Sequence, residues 1–358
     1  MSFSGSYRTG EVDILLTPLP LQDFVDIPEK ERLIQSGQRH YSEMLSPESL
    51  PSARYLDVFR TACVINGERM ARDCLRLAHL IAARRAGAIT LVSLARAGTP
   101  VGVVVSRLLN ELLQRPCTHY SVSIIRDRGI DKVALNHILA RHPAQSIVFV
   151  DGWTGKGVIA CELASTIADF NTQHDTAIDA GLYVLSDLAG VAACAASCDD
   201  YLIPSSILNA TVSGLVSRSI LNDAIGPNDF HGCVYYAQFA PQDQSQAFAD
   251  DLVSQAGKLR LAAAEPIDKD AAARVSRQFI AESLSKYGIL DVNLVKPGIG
   301  EATRVLLRRT PRLLVLRDAA APEVAHLSLL AEEKGVPVHI DPALPYYAVS
   351  LIRSAADA

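Results

Sequence analysis

The sequence predicts an α/β protein with a doubly wound, mostly parallel sheet and a small C-terminal α/β domain. Nearly half of the residues are hydrophobic (49%) but only 6% are aromatic, so Ala, Val, Leu and Ile supply the apolar mass. This composition is typical of layered α/β proteins. Strand-like runs alternate with helical patterns, and the length of 358 residues favours two domains.

The predicted elements follow one another in the order that a parallel sheet requires. Up to about residue 56 the chain holds turn residues and short apolar runs. Apolar residues then recur at helical spacing over residues 66–85, which predicts an amphipathic helix. Strand-like runs follow at residues 88–95, 119–125, 146–150 and 180–186. Because helical patterns separate them, we expect helices on both faces of the sheet.

A polar stretch rich in Gln and Asp, residues 241–251, precedes a helical segment near residues 268–286. Domain boundaries tend to fall in such polar segments. We therefore predict a first domain over residues 1–255, which includes an N-terminal elaboration. A linker and helix follow over residues 256–288, and the C-terminal domain spans residues 289–358.

Composition also limits the function. A net charge of −5 and a pI near 6.0 give no general attraction to nucleic acid or anionic membranes, so any nucleic-acid site has to be local. No stretch reaches the roughly 18 uncharged apolar residues of a membrane helix, and no signal-peptide pattern opens the chain. We expect a soluble, cytoplasmic protein. The seven scattered cysteines indicate neither a disulfide framework nor a protein-only metal site.

The strongest local signal is SIVFVDGWTGKGVIACELASTIADF, residues 146–170. An apolar strand ends at Asp151, a turn rich in glycine follows, and a helix begins. Gly152, Gly155 and Gly157 allow the backbone to approach an anion, and the free N–H groups at the helix start favour negative charge. The segment therefore predicts a phosphate site, with Asp151 placed to accept hydrogen bonds from sugar hydroxyls.

This turn is not a Walker A motif, because Val150 stands where the first glycine is required and Gly157 replaces the Ser or Thr. It resembles the phosphoribosyl diphosphate (PRPP) loop of type I phosphoribosyltransferases. In that family an apolar strand runs into two acidic residues and a TG turn that holds the 5′-phosphate. Asp151 matches the first acid and Gly152 replaces the second. The TG turn is matched by Thr154, Gly155, Lys156 and Gly157.

Two further segments stand in the order of the same family. LVSLARAGTPVG resembles the earlier pyrophosphate loop, with Arg96, Ala97 and Gly98 at the matching positions. SIIRDRGIDKVAL, residues 123–135, lies where the family has a mobile lid, and it offers Arg126, Arg128 and Lys132 to the leaving group. The alternative for each segment is structural, since glycine-rich turns are often only tight turns and surface arginines are usually solvated.

The resemblance implies a PRPP-dependent transferase in which Mg²⁺ accompanies PRPP and pyrophosphate. Asp151, Arg126 and Arg128 would then be catalytic. The polar segment over residues 201–222 would recognise the acceptor through Asn209, Ser213, Ser217 and Arg218, although a polar loop cap explains these residues equally well.

The C-terminal segment resembles the Pelota and kink-turn-binding ribosomal protein group over about sixty residues. There a Gly-Asn-Glu-x-Thr-Lys turn contacts RNA, and Ile299 and Gly300 stand at its first two positions here. Over residues 286–318, seven basic residues accompany three acidic ones, an excess that suits phosphate contacts. A solvated basic helix is the alternative. The predicted RNA-binding residues are Gly300, Glu301, Thr303, Arg304 and Arg308.

Over nearly its full length the chain resembles the StiP-type proteins of bacterial tellurite-resistance and stress operons, including HYSEM, VDGWTGKG and FHGCVYY. The resemblance implies a PRPP-dependent enzyme that makes a nucleoside-like metabolite or modifies an RNA-linked acceptor. Two alternatives stay open. One is a noncatalytic module that binds PRPP or a nucleotide together with RNA. The other is a thiol hydrolase using Cys233 and His231, in line with the cysteine protease label of that family. Phosphoribosyltransferase-like domains commonly pair, which favours a homodimer.

Overall fold

The computed structural model describes residues 3–21, 24–261 and 267–353. A sheet of seven strands forms its centre, and a two-stranded ladder lies beside it. The strands of this part are β1 (Asp13–Leu15), β2 (Thr17–Pro18), β3 (Ile89–Ala95), β4 (Cys117–Ile125), β5 (Gly129–Ile130), β6 (Ile147–Thr154), β7 (Leu182–Asp187), β8 (Cys194–Ser197) and β9 (Gly232–Cys233). The main sheet has the order β1-β4-β3-β6-β7-β8, with every neighbouring pair parallel, and β5 pairs antiparallel with the end of β4. β2 and β9 form the separate ladder.

Helices cover both faces of the main sheet, so the predicted doubly wound α/β class is confirmed. They are α1 (Ile27–Gln35), α2 (Ala53–Arg84), α3 (Thr99–Arg107), α4 (Lys132–Leu139), α5 (Val158–His174) and α6 (Ser245–Lys258). One apolar core joins α2, α3 and α6 to one face, with Leu77 and Val104 fully buried. A second core joins α4 and α5 to the other face through Leu135, Ile167 and Phe170.

The predicted strands agree with β3, β4, β6 and β7, and the predicted helix over residues 66–85 is the second half of α2. This helix starts earlier, at Ala53, because the Ser52 side chain accepts a hydrogen bond from the Tyr55 N–H and caps its first turn. β6 runs three residues past Asp151 to Thr154, so the predicted phosphate turn begins inside a strand.

The C-terminal part has a sheet of its own, as predicted. Its order is β10-β13-β11-β12, and it carries three helices. The elements are α7 (Lys269–Lys286), β10 (Val295–Pro297), α8 (Ile299–Arg308), β11 (Pro311–Leu316), α9 (Ala325–Glu333), β12 (Val338–Ile340) and β13 (Ala348–Ile352). α7 packs against this sheet, where Phe279 meets Tyr346 edge to face at 5.2 Å between ring centroids.

The start of α8 is fastened to the first part of the chain. Asp200, which follows β8, accepts hydrogen bonds from the backbone N–H of Ile299 at 2.9 Å and of Tyr347 at 2.8 Å. A carboxylate at a helix start satisfies free N–H groups and is favoured by the helix dipole. At the other end of α8, Arg309 pairs with Glu31. α8 is thereby held at the carboxyl ends of the main-sheet strands.

Among the helices of the described residues, none is both long and apolar enough to cross a membrane.

Candidate functional site

The carboxyl ends of three neighbouring strands bring the first residues of the site together. Arg96 follows β3, Arg126 follows β4, and Asp151 lies near the end of β6. The chain places β4 on one side of β3 and β6 on the other, so the strand order reverses at β3. Open α/β sheets bind ligands in the crevice outside the strand ends at such a point.

The turn between β6 and α5 has the geometry of an anion site. Gly157 lies in the left-handed region, with φ of 81°, and α5 begins at the next residue. A side chain is strained there, and a Cβ at this position would approach the Val191 side chain at 2.8 Å. The first N–H groups of α5, which have no partner within the helix, start at this turn beside a cavity that Gly155 and Lys156 also line.

Thr154 has a structural role that the sequence analysis missed. Its hydroxyl donates to the buried carboxylate of Asp187 at 2.5 Å and accepts from the Ala189 N–H at 3.1 Å. Asp187 also accepts from the Val191 and Ala192 N–H groups. The Thr154 side chain therefore fixes the turn from beneath, and its hydroxyl is already engaged.

Two charged groups at the turn have shifted pKa values. Burial raises the pKa of Asp151 to about 6, although Arg304 nearby and the Gly152 N–H favour its ionised form. Burial and then the neighbouring Lys296 lower the pKa of Lys156 to about 8. The Lys156 ammonium donates to the carbonyl of Val292 at 2.6 Å, so the C-terminal part reaches this turn directly.

Two adjoining cavities open at this edge of the sheet. The first cavity, of about 190 Å³, lies above Arg96 and Asp151, and the second cavity, of about 360 Å³, lies above the β6–α5 turn. Asp151, Trp153 and Arg304 line both. Eight basic side chains and two acidic ones, Asp151 and Glu301, line the pair. The basic ones are Arg96, Arg126, Lys156, Arg218, Lys296, Arg304, Arg308 and Arg309. Such an excess suits an anionic ligand.

The predicted pyrophosphate loop meets the first cavity at Arg96 and Ala97. Arg96 is buried, pairs with Glu48 at 2.6 Å and donates to the Asn209 side-chain oxygen at 3.2 Å. Gly98 does not line the cavities. It lies against the sheet, where a Cβ would approach the carbonyl oxygens of Val150 and Leu94 within 3 Å, so a glycine is needed for packing.

The segment predicted as a long lid, residues 123–135, instead folds as the end of β4, a tight turn, β5 and the start of α4. Arg126 lines the second cavity, and its N–H donates to the Tyr41 hydroxyl at 2.8 Å. Arg128 lines neither cavity and pairs with Glu43 at 3.4 Å. The antiparallel pairing of β5 with β4 leaves too little chain for a lid.

Of the predicted acceptor residues, Asn209, Ser213 and Arg218 line the first cavity. Ser217 does not: it is fully buried, and its hydroxyl donates to the Arg218 carbonyl and accepts from the Val234 N–H. The Ser213 hydroxyl donates to the Asn209 carbonyl at 2.9 Å. Arg218 donates to the carbonyl of Met44, and its guanidinium lies 5.5 Å from the centroid of the Tyr41 ring. Within the described residues Arg218 has no carboxylate partner, so its charge is available to a ligand.

Four of the five residues predicted to contact RNA face the first part of the chain. Arg304 pairs with Glu301 at 2.8 Å and stacks on Trp153, 4.4 Å from the ring centroid. Gly300 approaches the same ring, since a Cβ there would lie 2.5 Å from it. Thr303 is fully buried and bonds to His326 at 2.7 Å.

Arg308, the fifth of these residues, donates to the Asn209 side-chain oxygen at 2.8 Å. Four of the five therefore lie at an internal interface rather than on an open face, and Thr303 is buried within the C-terminal part itself. Burial, with Arg96 and Arg304 close by, lowers the pKa of Arg308. Within the described residues it has no carboxylate partner.

The sequence analysis did not single out several cavity residues. Trp153 is the only tryptophan in the chain, and its place inside VDGWTGKG could have marked it as a site residue. Tyr41 belongs to HYSEM, which was noted only for its resemblance. Lys296 and Arg309 were counted in the basic excess without a role, and nothing in the sequence marks Glu48.

The proposed thiol pair is not arranged for catalysis. Cys233 is fully buried, and burial raises the pKa of its thiol to about 12. His231 bonds instead to the Ser123 hydroxyl at 2.8 Å. In the described part of the chain, no thiol bonds to a histidine, and no cysteine lines the two cavities. Nor do the described residues contain three or more His, Cys, Asp or Glu grouped to hold a metal.

Comparison with known proteins gives two family matches. Residues 5–253 match the family described as "Tellurite-like stress resistance cysteine protease StiP", and residues 274–354 match the PELOTA RNA binding domain. The curated protein "Cysteine protease StiP" from Acinetobacter baylyi is 41% identical over 369 residues, covering 98% of this chain and 94% of that protein.

Among solved structures, similarity is weak. The hypoxanthine phosphoribosyltransferase of Trypanosoma cruzi is 14% identical over 36% of this chain and 77% of its own, with a TM-score of 0.26. A hypothetical protein from Neisseria gonorrhoeae with bound ppGpp is 16% identical over 33% of this chain and 66% of its own, with a TM-score of 0.23. Likeness at this level carries no weight for function.

Proposed function

The chain belongs to the StiP family of tellurite-like stress resistance proteins, and from its cleft we propose that it is a PRPP-dependent phosphoribosyltransferase. Its product would be a nucleoside-like metabolite or a modified RNA-linked acceptor. The relative's name describes an enzyme of another class, a cysteine protease, so the two activities have to be distinguished by experiment.

One observation carries the proposal: a strand-end carboxylate, Asp151, and the start of α5 face cavities lined by eight basic side chains. A phosphorylated sugar offers both kinds of group, since its phosphates need N–H donors and cations and its hydroxyls need an acceptor. Arg218 and Arg308 are shielded guanidinium groups without carboxylates in the described residues. A buried charge without a counter-charge is costly, and a polyanionic ligand would relieve that cost.

The residues suggest how PRPP would lie. The 5′-phosphate would bind the N–H groups at the start of α5 beside Lys156. Asp151 would accept from the ribose hydroxyls, and the pyrophosphate would lie toward Arg96 and Arg126. Catalysis would then consist of positioning and of stabilising the charge that leaves with pyrophosphate.

Magnesium is the expected companion of pyrophosphate, whose charge it neutralises when bound. Whether the site fits Mg²⁺ depends on the oxygen donors that line the two cavities. Asp151 and Glu301 are their only carboxylates among the described residues, Glu301 is paired with Arg304, and Gly152 takes the place of a second strand-end acid. We therefore propose that the ligand's own oxygens supply most of the coordination, with Asp151 as the one protein oxygen donor at the strand end.

Isothermal titration with PRPP and MgCl₂ tests the site. We expect one PRPP per chain, with affinity reduced at least about tenfold in Lys156→Gln by loss of a charge-assisted hydrogen bond. Lys132→Gln is the matched control, because Lys132 lies on α4, bonds to Gln173 and lines neither cavity. Equal affinity in both variants, or no binding by the wild type, would reject the proposal.

A turnover assay distinguishes an enzyme from a module that only binds PRPP. A transferase releases pyrophosphate when the acceptor is present, and a cell extract of small metabolites serves as the first source of acceptors. Release that depends on the extract and is lost in Asp151→Asn supports the transferase. PRPP binding with no release under any extract supports the module instead.

A further inference from the structure

A third cavity adjoins the first on the far side of a row formed by Arg96, Asn209 and Arg308. Its volume is about 420 Å³. The row belongs to both cavities, and Arg218 also lines both. The remaining walls come from α1, residues 45–52, the start of α2, residues 207–211, Phe239 and the ends of α8 and α9. Both parts of the chain are therefore needed to close it.

Cations without acidic partners line this cavity. Lys30 is only 7% exposed, and its ammonium donates to the Ser46 hydroxyl at 3.1 Å. Within the described residues, Lys30, Arg218 and Arg308 form no ion pair. Two carboxylates line the cavity, and each is paired elsewhere: Glu48 with Arg96 at 2.6 Å and Glu333 with Arg54 at 4.0 Å. Holding three cations in one shielded space is unfavourable unless an anion joins them.

A neutral donor lines the same space. The Tyr55 hydroxyl is buried and has no hydrogen-bond partner among the described residues, although Tyr55 is 7% exposed and lines the cavity. Buried hydroxyl groups nearly always find a partner, so the Tyr55 hydroxyl keeps a donor for an oxygen atom of a ligand in this cavity.

Apolar side chains form part of the wall. Ile27, Leu45, Leu50, Phe239 and Leu307 line the cavity together with these polar groups. A pocket with apolar walls and a few convergent polar groups is typical of a site for a small organic molecule rather than for an inorganic ion.

We propose that the third cavity binds a small organic oxyanion, a carboxylate or a phosphate ester, whose charged group lies between Lys30, Arg218, Arg308 and the Tyr55 hydroxyl. We assign this molecule as the acceptor of phosphoribosyl transfer, and that assignment rests on the function proposed above. Held there, the acceptor extends past Asn209 toward the first cavity.

The proposed transfer of the phosphoribosyl group is balanced in bonds, electrons and protons. The bond between C1 of the ribose and pyrophosphate breaks, and its electron pair leaves with pyrophosphate. The nucleophilic atom of the acceptor supplies the pair for the new bond to C1 and releases its proton to water.

Calorimetry with two probes tests the site, inorganic phosphate for the phosphate class and benzoate for carboxylates with an apolar body. Each is titrated into full-length protein saturated with PRPP and Mg²⁺, which fill the other anion sites. We expect at least one probe to bind once per chain, about tenfold or more weaker in Lys30→Gln and weaker also in Tyr55→Phe. Lys30→Arg, which keeps the charge, is expected to restore binding, and Lys132→Gln to change nothing.

Equal binding by the wild type and a folded Lys30→Gln variant would overturn the inference, as would the binding of neither probe. Circular dichroism and the melting temperature establish that the variant is folded. Lys156→Gln distinguishes the PRPP site from the third cavity, because it is expected to weaken the binding of PRPP and to leave the binding of the probe unchanged. If the wild type does not bind PRPP, the titration is run without it. Probe binding that is lost in Lys30→Gln then supports the anion site. The assignment of this site to the acceptor is rejected together with the transferase.

Discussion

The guanidinium of Arg304 lies over the indole ring of Trp153, 4.4 Å from its centroid. Trp153 belongs to the strand that carries Asp151, and Arg304 belongs to the first helix of the C-terminal sheet. The contact joins the two parts of the chain directly above the cavities. It follows that the C-terminal part contributes to the site itself and is not merely an appended module.

Removing this contact is expected to weaken ligand binding. Arg304→Gln loses a cation over an aromatic face, worth about 0.5–2 kcal/mol, and one positive charge of the site. We expect PRPP affinity to fall about tenfold, measured by calorimetry. Arg317→Gln is the matched control, since Arg317 stacks on Tyr347 at 3.9 Å but lines none of the three cavities. An equal loss of affinity in the control would show that the effect comes from general destabilisation.

Gly300 tests how closely α8 packs on the strand. A Cβ at this position would lie 2.5 Å from the Trp153 ring, which is bulky and packed. We expect Gly300→Ala to cost about 1–3 kcal/mol of unfolding free energy, as overpacking does. Gly257→Ala in α6 is the control, because nothing lies within 4 Å of its added Cβ and alanine favours the helix. Denaturant titration measures both, and equal midpoints would contradict the packing described here.

Much of the fold could be predicted from the sequence because strands buried on both faces form continuous apolar runs. β3, β6 and β7 contain runs of this kind, and in β4 the buried Ser121 and Ser123 alternate with apolar residues. β1, with three residues, and β8, with four, were not predicted, because strands this short carry too little pattern. The helix predicted over residues 66–85 has clear periodicity, but its first turns depend on the cap at Ser52.

The site residues, too, could be predicted only where their signal is local in the sequence. The apolar run and the glycine spacing placed Asp151 near the end of a strand and Gly157 at the start of a helix, and both are local properties of the chain. The role of Thr154 depends on Asp187, 33 residues later, and no local pattern reveals that bond. The inward placement of α8 depends on Asp200, 99 residues before Ile299, which bonds to backbone N–H groups that have no side-chain signature.

PRPP binding should have its maximum between about pH 6 and about pH 8. Burial raises the pKa of Asp151 to about 6, so the carboxylate that accepts from ribose hydroxyls is lost as the pH falls through that value. Burial lowers the pKa of Lys156 to about 8, so its charge is lost as the pH rises through that value. The second ionisation of a phosphate monoester also lies near pH 6, so the alkaline limb is the sharper test.

PRPP affinity measured on the acidic and on the alkaline side of this maximum checks the predicted pH profile. Lys156→Arg is expected to keep its charge throughout and to abolish the alkaline limb, while Lys132→Gln should retain it. A wild-type affinity that stays constant well above pH 8 would contradict a role for Lys156 in binding.

The cysteine protease name of the relative gives a direct prediction for Cys233. The thiol is buried, has a pKa raised to about 12, and lies outside the first and second cavities. We expect Cys233→Ser to leave PRPP binding and pyrophosphate release unchanged, apart from a modest loss of stability due to a buried hydroxyl. Casein digestion by the wild type that disappears in Cys233→Ser and persists in Asp151→Asn would instead establish a thiol hydrolase.

The match to an RNA-binding domain leads to a prediction about specificity. In this structure Gly300 and Arg304 pack on Trp153, Thr303 is buried, and Arg308 bonds to Asn209. An RNA kink cannot reach these groups while α8 is docked. We therefore expect a kink-turn RNA to bind no more tightly than a plain duplex of the same length, through the general attraction of exposed basic residues to phosphates.

Filter binding at several salt concentrations measures both affinities and their salt dependence. Arg304→Gln combined with Arg308→Gln should leave RNA binding nearly unchanged and weaken PRPP binding strongly, because both side chains point into the cleft. The opposite pattern, a preference for the kink-turn that the double variant abolishes, would show that α8 undocks to bind RNA. In that event PRPP would compete with the RNA, since the same two arginines cannot serve both ligands at once.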